Sequence, residues 1–179
     1  MKYDLEQSCT GRGEQIPLLR SLNEELLRGI EMIANVDDLS YRRTANGTGS
    51  VGGQFRHNLD FVNSLLNGLD DGRIDYNKRE RELRVEADRE HAIEQFRLAI
   101  RRLDDLSPKH FSKIVLVRSE VDATTWLMSS VVREAEFVHS HTVHHHALIA
   151  EKLAGFGLKV TQNFGVAPST LVYWNQKAA

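Results

Sequence analysis

Five of the chain's eight histidines fall between His139 and His146, in the stretch EFVHSHTVHHHALI. Imidazoles this dense can share a cation. A purification tag is excluded, because the run is internal and interleaved with Val138, Val143, Leu148 and Ile149. His141 and His145 are four residues apart, so on a helix their rings stack on one face. That spacing lets two imidazoles hold one ion at about 2.0–2.1 Å per Zn–N bond. On a wheel advancing about 100° per residue, Val131, Ala135, Phe137, Val138, Thr142, Leu148, Ile149 and Leu153 form one broad apolar arc. His145 is expected near its centre and His141 inside it, with His144 on one margin and His139 and His146 off the other. The expectation is two core-facing histidines and three at the surface or an interface. Two imidazoles buried without partners would be costly, so a metal or a hydrogen-bond network must compensate.

A third donor has to come from another element. The candidates are His57, His91 and His110. His57, in GGQFRHNLDF, lies at the edge of an apolar helix face near Phe61, with Gly53 and Gly68 on its own side. Small residues there permit close approach of a neighbouring helix. His91 falls in the first turn of a later helix and His110 in a loop after Pro108, so pattern alone ranks His57 first. Two other metal chemistries do not fit. A zincin needs His-Glu-x-x-His, and Thr142 follows His141. A di-iron carboxylate site needs two Glu-x-x-His pairs, and only Glu136 to His139 matches. Thr142, Glu134 and Asp60 lie near the ligands on their wheels and are candidates for outer-sphere or acid/base roles. The plainer reading of each is a surface or capping residue, so no catalytic residue is assigned.

These side chains must be carried by helices. Residues 18–107 contain no proline and are free to be largely helical. A first helix over 14–35 stripes Leu18, Leu19, Leu22, Leu26, Leu27, Ile30 and Ile33, with Pro17 in its first turn. Residues 40–49 read as a loop. Ser50 then caps a helix to about Gly68, and Asp88 caps a third that ends before Pro108. The polar run DDGRIDYNKRERELR reads as a connection. SKIVLVRSEVDATTWLMSS predicts an extended segment or short hairpin. The histidine helix runs from Ser129 or Ser130 to Ala154, stopped by GFGL. The tail, 157–179, lacks periodicity but keeps Phe164, Val166, Leu171, Tyr173 and Trp174, so it is expected to pack on the rest. The predicted class is all-α, a four-helix bundle with a short β hairpin before the last long helix. It forms one domain over 1–179 with its helical core at about 14–156.

Composition narrows the function. The chain has 179 residues, 41% hydrophobic and 27% charged, with a formal net charge of −2. That charge gives no reason to expect a nucleic acid or an anionic membrane as partner. The basic runs NKRERELR and Arg101-Arg102 are offset by neighbouring acids and read as solvated faces. The glycines of GTGSVGG match neither phosphate-binding spacing. No stretch reaches the roughly 18 apolar residues needed to span a bilayer. MKYDLEQSC carries Asp4 and Glu6 and no apolar core, so it does not read as a signal peptide. A single cysteine, Cys9, allows no internal disulfide, which suits a reducing, cytoplasmic location. Cys9 reads as a plain surface thiol.

SVGGQFRHNLDF followed by HTVHHHALI resembles the DinB/YfiT-like superfamily of small bacterial four-helix-bundle metalloproteins, over roughly residues 14–156. The resemblance implies His57, His141 and His145 as ligands of one divalent ion, nickel or zinc above others, with open coordination positions. Some relatives are transferases or isomerases that use mycothiol, bacillithiol or glutathione. The implied cofactors are thus a divalent metal and a low-molecular-weight thiol, and the implied partner is a small-molecule substrate or thiol. Relatives in ergothioneine synthesis carry His-x-x-x-His-x-Glu, and Ala147 stands where that Glu would be. The expected function is a metal-dependent enzyme on a small molecule, such as a thiol S-transferase. The alternative is a non-catalytic metal-binding or stress-linked interaction protein, acting as a homodimer through a helix face. Fold and site type do not choose between them.

Overall fold

The structure, a computed structural model, describes residues 16–44 and 49–178. Cys9, residues 14–15 of the first expected helix and residues 45–48 of the glycine-rich loop lie outside them. The elements in chain order are α1 (Pro17–Asn35), α2 (Asp38–Arg42), α3 (Val51–Asp71), β1 (Arg73–Ile74), α4 (Leu83–Ala87), α5 (Arg89–Asp104), α6 (Pro108–Phe111), β2 (Ile114–Arg118), β3 (Trp126–Ser130), α7 (Val131–Gly155) and α8 (Pro168–Ala178). The protein is mostly helical, with one small sheet.

Local chemistry sets most helix starts. The Ser50 hydroxyl accepts from the Gly53 N–H at 2.9 Å and opens α3. The Asp88 carboxylate does the same for His91 at 3.0 Å on α5, and Ser130 for Arg133 at 3.2 Å on α7. Each satisfies an amide that the first turn leaves unpaired. α3 ends at Gly72, whose φ of 65° is a left-handed conformation that suits glycine.

The four long helices pack as two pairs across a shared core. α1 contacts α5 and α7, and α3 contacts the same two. Leu22, Leu26, Phe55, Val62, Phe96, Leu103, Val138 and Ile149 are fully buried between them. Phe55 meets Phe96 edge to face at 5.9 Å, a favourable arrangement for two ring quadrupoles. The expected hairpin is present: β2 and β3 pair antiparallel, from Ile114 opposite Ser130 to Arg118 opposite Trp126. β1 adds to β2 in parallel.

The short helices α2 and α6 take up parts of expected loops, at residues 40–42 and at His110, and two larger regions also depart from expectation. The polar connection after α3 holds β1 and α4, because Ile74, Tyr76 and Val85 are buried singly. Isolated anchors of this kind leave no periodic signal. The tail divides into two parts. Phe164 is buried and stacks on His146 at 4.4 Å. The neighbouring Gly165 has φ of 75°, and a Cβ there would sit 2.5 Å from the Ala147 Cα, so glycine lets this segment lie against α7. The following α8 leaves Val172, Tyr173 and Trp174 exposed. Among the described residues, no helix is long and apolar enough to cross a membrane.

Candidate metal centre

His57 lies in the second turn of α3, and His141 and His145 lie one turn apart on α7, the helix that α3 packs against. One ligating nitrogen from each falls within 4.8 Å of the other two. The ring centroids are 5.1 Å apart for His57 and His141, 4.5 Å for His57 and His145, and 4.4 Å for His141 and His145. Three nitrogens bound at about 2.0–2.1 Å in a tetrahedral shell are roughly 3.4 Å apart. The donors therefore need small side-chain rotations to close on an ion, without movement of either helix.

The structure brings together the three histidines that pattern ranked first and leaves the alternatives elsewhere. His91 is bound to Glu82 at 2.5 Å, and His110 sits in the short α6 beside Ser107. The burial of the α7 histidines corrects the wheel. His139 and His146 are the buried pair, while His141 and His145 are half-buried and His144 is exposed. The buried arc centres on Ala135, Thr142, His146, Ile149 and Leu153, which face the core. Phe137 and Leu148 pulled the expected centre toward the site side, yet both are only half-buried. His139 meets the Ser21 hydroxyl at 2.9 Å and His146 meets Glu25 at 3.2 Å, both on α1.

The outer contacts decide which nitrogens are free. The Gln54 Oε1 lies 2.7 Å from His145 Nδ1. A carbonyl oxygen only accepts, so Nδ1 carries the proton and the Nε2 lone pair is left for a cation. His141 Nδ1 is buried with no hydrogen-bond partner, an orphan that asks for an explanation. The Phe61 ring stacks on His141 at 3.8 Å, and Tyr76 stacks on Phe61 at 5.1 Å. His57 differs, because its Nδ1 lies 2.8 Å from Arg79 Nη1. A guanidinium only donates, so the neutral His57 ring keeps its proton on Nε2. Arg79 is held there by a segment pinned at both ends. Asp75 accepts from the Asn77 amide at 3.0 Å and from Arg118 at 2.9 Å. Asp60 accepts from the Arg81 amide at 3.3 Å, with Arg81 at a left-handed φ of 52°.

Burial, reinforced by Arg79, Arg56 and Arg81, pushes the His57 pKa down to about 4. Burial, then the neighbouring histidines and Arg79, brings His141 to about 4. Burial and the adjacent imidazoles bring His145 to about 3. All three rings are neutral at pH 7, as ligands must be. The unfolded chain protonates them near 6.5, so it binds more protons than the folded chain below that pH. Stability therefore falls as pH drops from about 6.5 toward 3. In metal-free protein, the urea midpoint is expected to drop between pH 7.5 and 4.5, and to drop less in His141→Asn. An equal drop in both proteins would refute this.

Neutral imidazoles, one tautomer fixed by Gln54 and one orphaned nitrogen fit a borderline divalent ion. Arg79 is the exception. If His57 ligates through Nδ1, Arg79 stands in the ion's position. If it ligates through Nε2, the proton moves to Nδ1 and faces another donor. In either case Arg79 must shift.

The three polar residues expected near the ligands have other partners. Thr142 donates to the Val138 carbonyl at 2.8 Å inside the core. Glu134 accepts from Tyr76 at 3.1 Å and Ser129 at 2.6 Å. Asp60 holds the Arg81 amide. The side chains beside the rings include Gln54, Phe61, Phe137, His144 and Arg79. Gln54 was within reach of sequence reasoning, because it stands three residues before His57 and so shares its face. Arg79 carried no such signal inside a charged run.

No family model matches the chain. The chain is similar to the FK506-binding protein 5 of Rhizopus delemar, at 30% identity over 102 residues. That likeness covers 55% of this chain and 26% of the Rhizopus protein.

Proposed function

We propose that the chain is a divalent-metal protein of the DinB/YfiT-like kind, with α1, α3, α5 and α7 as its four-helix bundle. We further propose that it acts as a metal-dependent enzyme on a small molecule. The observation that carries this reading is the meeting of His57, His141 and His145, with ligating nitrogens within 4.8 Å. Imidazole nitrogens suit zinc and nickel among the available divalent ions. Three protein ligands with positions left over is the pattern of catalytic rather than structural zinc sites. A metal there would lower the pKa of a coordinating thiol, the chemistry a thiol-dependent transferase needs. Gln54 orients His145, and Phe61 and Phe137 wall the His141 side.

The test is elemental analysis of untagged protein purified without a metal column. Wild type and the exposed-position control His144→Ala are expected to carry about one ion per chain. His57→Ala, His141→Ala and His145→Ala are expected to carry almost none. A wild type that stays metal-free after incubation with Zn²⁺ or Ni²⁺ would overturn the reading.

A further inference from the structure

Apolar side chains do not by themselves fix how α7 is turned about its axis. Phe137, Val138 and Val143 lie roughly a third of a turn from one another at about 3.6 residues per turn, yet Val138 and Val143 are buried and Phe137 is half-buried. A helix with apolar residues on every side can bury more than one of its faces. Polar contacts are more selective, because each needs one partner in one direction. Two of them join α7 to α1. His139 Nε2 lies 2.9 Å from the Ser21 hydroxyl, and His146 Nδ1 lies 3.2 Å from Glu25 Oε2. Ser21 and Glu25 are four residues apart and share a face of α1. His139 and His146 are seven apart, about two turns along one face of α7. His141 and His145 lie on a different side of that helix.

The Glu25 contact is the costly one. Glu25 is 2% exposed and His146 is fully buried. The carboxylate also accepts from Arg28. A carboxylate oxygen only accepts, so His146 Nδ1 carries the proton, and Nε2 is left buried without a partner. That nitrogen faces Gly29, where a Cβ would come within 3.2 Å of it. Phe164 stacks on the ring at 4.4 Å and Phe55 meets it edge on at 6.1 Å. Leucines could fill the same space with no unpaired nitrogen and no buried charge, and such replacements are often neutral or stabilising. What the pair supplies is direction. Turning α7 by one residue, about 100°, would leave Glu25 buried against apolar groups and would carry His145 away from His57.

We infer that Glu25 and Ser21 are positioning residues for the histidine cluster. Acting through His146 and His139, they set the rotation of α7 that presents His141 and His145 to His57. Selecting one register among several is the best-attested use of buried polar contacts. The consequence for metal binding rests on the reading proposed above, whereas the rotation itself is a property of the metal-free chain.

The test uses the full chain and two readings. The first needs no metal. The His141 ring stacks on Phe61 with centroids 3.8 Å apart, so the Phe61 ring current shifts the His141 ring protons upfield in the ¹H NMR spectrum. The second is zinc affinity, from competition with a chromophoric chelator. In the double variant Glu25→Leu, His146→Leu, the urea midpoint is expected to equal or exceed that of wild type. Its His141 ring protons are expected to lose the upfield shift, and its zinc affinity to fall about tenfold or more. Glu25→Gln keeps an acceptor for His146 Nδ1–H and is expected to keep wild-type values for both readings. A role in stability alone would move the midpoint and leave both readings unchanged, and that result in the folded double variant would overturn the inference. Should the double variant not fold, the same readings on Ser21→Ala decide. A reduced His141 shift there supports the inference, and wild-type values for both readings overturn it. A wild type that binds no zinc sinks the metal reading, and the His141 shift still tests the rotation.

Discussion

Replacing His145 with alanine is expected to lower the affinity of the proposed site for zinc or nickel by on the order of a hundredfold or more. Outer-shell partners of metal ligands alone are worth about 10–100-fold in affinity, so loss of a ligating imidazole is expected at or beyond the upper end. Only His57 and His141 would remain, on different helices and without the i, i+4 stack that brings two rings to one point. His145 is half-buried and hydrogen-bonded to Gln54, so its removal leaves little cavity. The fold is expected to survive, which separates the loss from simple unfolding. Competition against a chromophoric chelator measures the affinity directly. Thermal unfolding gives an independent readout. Ion at a thousandfold above Kd stabilises the folded state by about 4 kcal/mol, which is roughly 10 °C in Tm for a chain of this size. That rise should appear in wild type and in His144→Ala and vanish in His145→Ala. Equal affinities for wild type and His145→Ala would exclude the three-histidine site.

The second large effect is on stability, at Gly52. In an ordinary helix, glycine to alanine gains about 1 kcal/mol. Here the sign reverses. A Cβ on Gly52 would fall inside van der Waals contact of the Glu86 carbonyl oxygen and 2.6 Å from the Tyr41 Cε1. Neither neighbour can give. The first is backbone, and Tyr41 is fully buried with its hydroxyl donating to the Val85 carbonyl at 2.7 Å. Overpacking a closed site costs about 1–3 kcal/mol and sometimes more, enough to outweigh the helix gain. The expected net loss for Gly52→Ala is about 2 kcal/mol, read as a lower urea midpoint. Gly155→Ala, where a Cβ meets nothing within 4 Å, serves as the control and should be neutral or slightly stabilising. A Gly52→Ala midpoint equal to wild type would show that α3 and α4 can separate there at no cost. The same crossing holds Glu86 against Arg56, so the variant is also expected to loosen that ion pair.

Much of this was legible locally. Leucine and isoleucine spacing and the Ser50 and Asp88 side chains set the long helices, because periodicity and capping act within one or two turns. The same logic put His141 and His145 on one face. Sequence reasoning also named Gly53 and Gly68 as points of close approach. Gly68 is one, with a Cβ there 2.6 Å from the Arg73 carbonyl oxygen, but the tighter crossing is at Gly52. β1, α4 and α8 left no comparable signal, since single buried anchors and an exposed terminal helix have no repeating pattern to detect.

What the chain determined by itself was the set of helices and a pair of imidazoles one turn apart. Tertiary structure decided how α7 is rotated, so that His139 and His146 turn toward α1 while His141 and His145 turn toward His57. That rotation is fixed by packing on three other helices, and a single helix carries no record of which half of a broad apolar arc its neighbours will cover. Tertiary structure also brought Arg79 to His57, across 22 residues. The pins that hold it, Asp60 and Asp75, act between elements, so no local pattern in the sequence announces them.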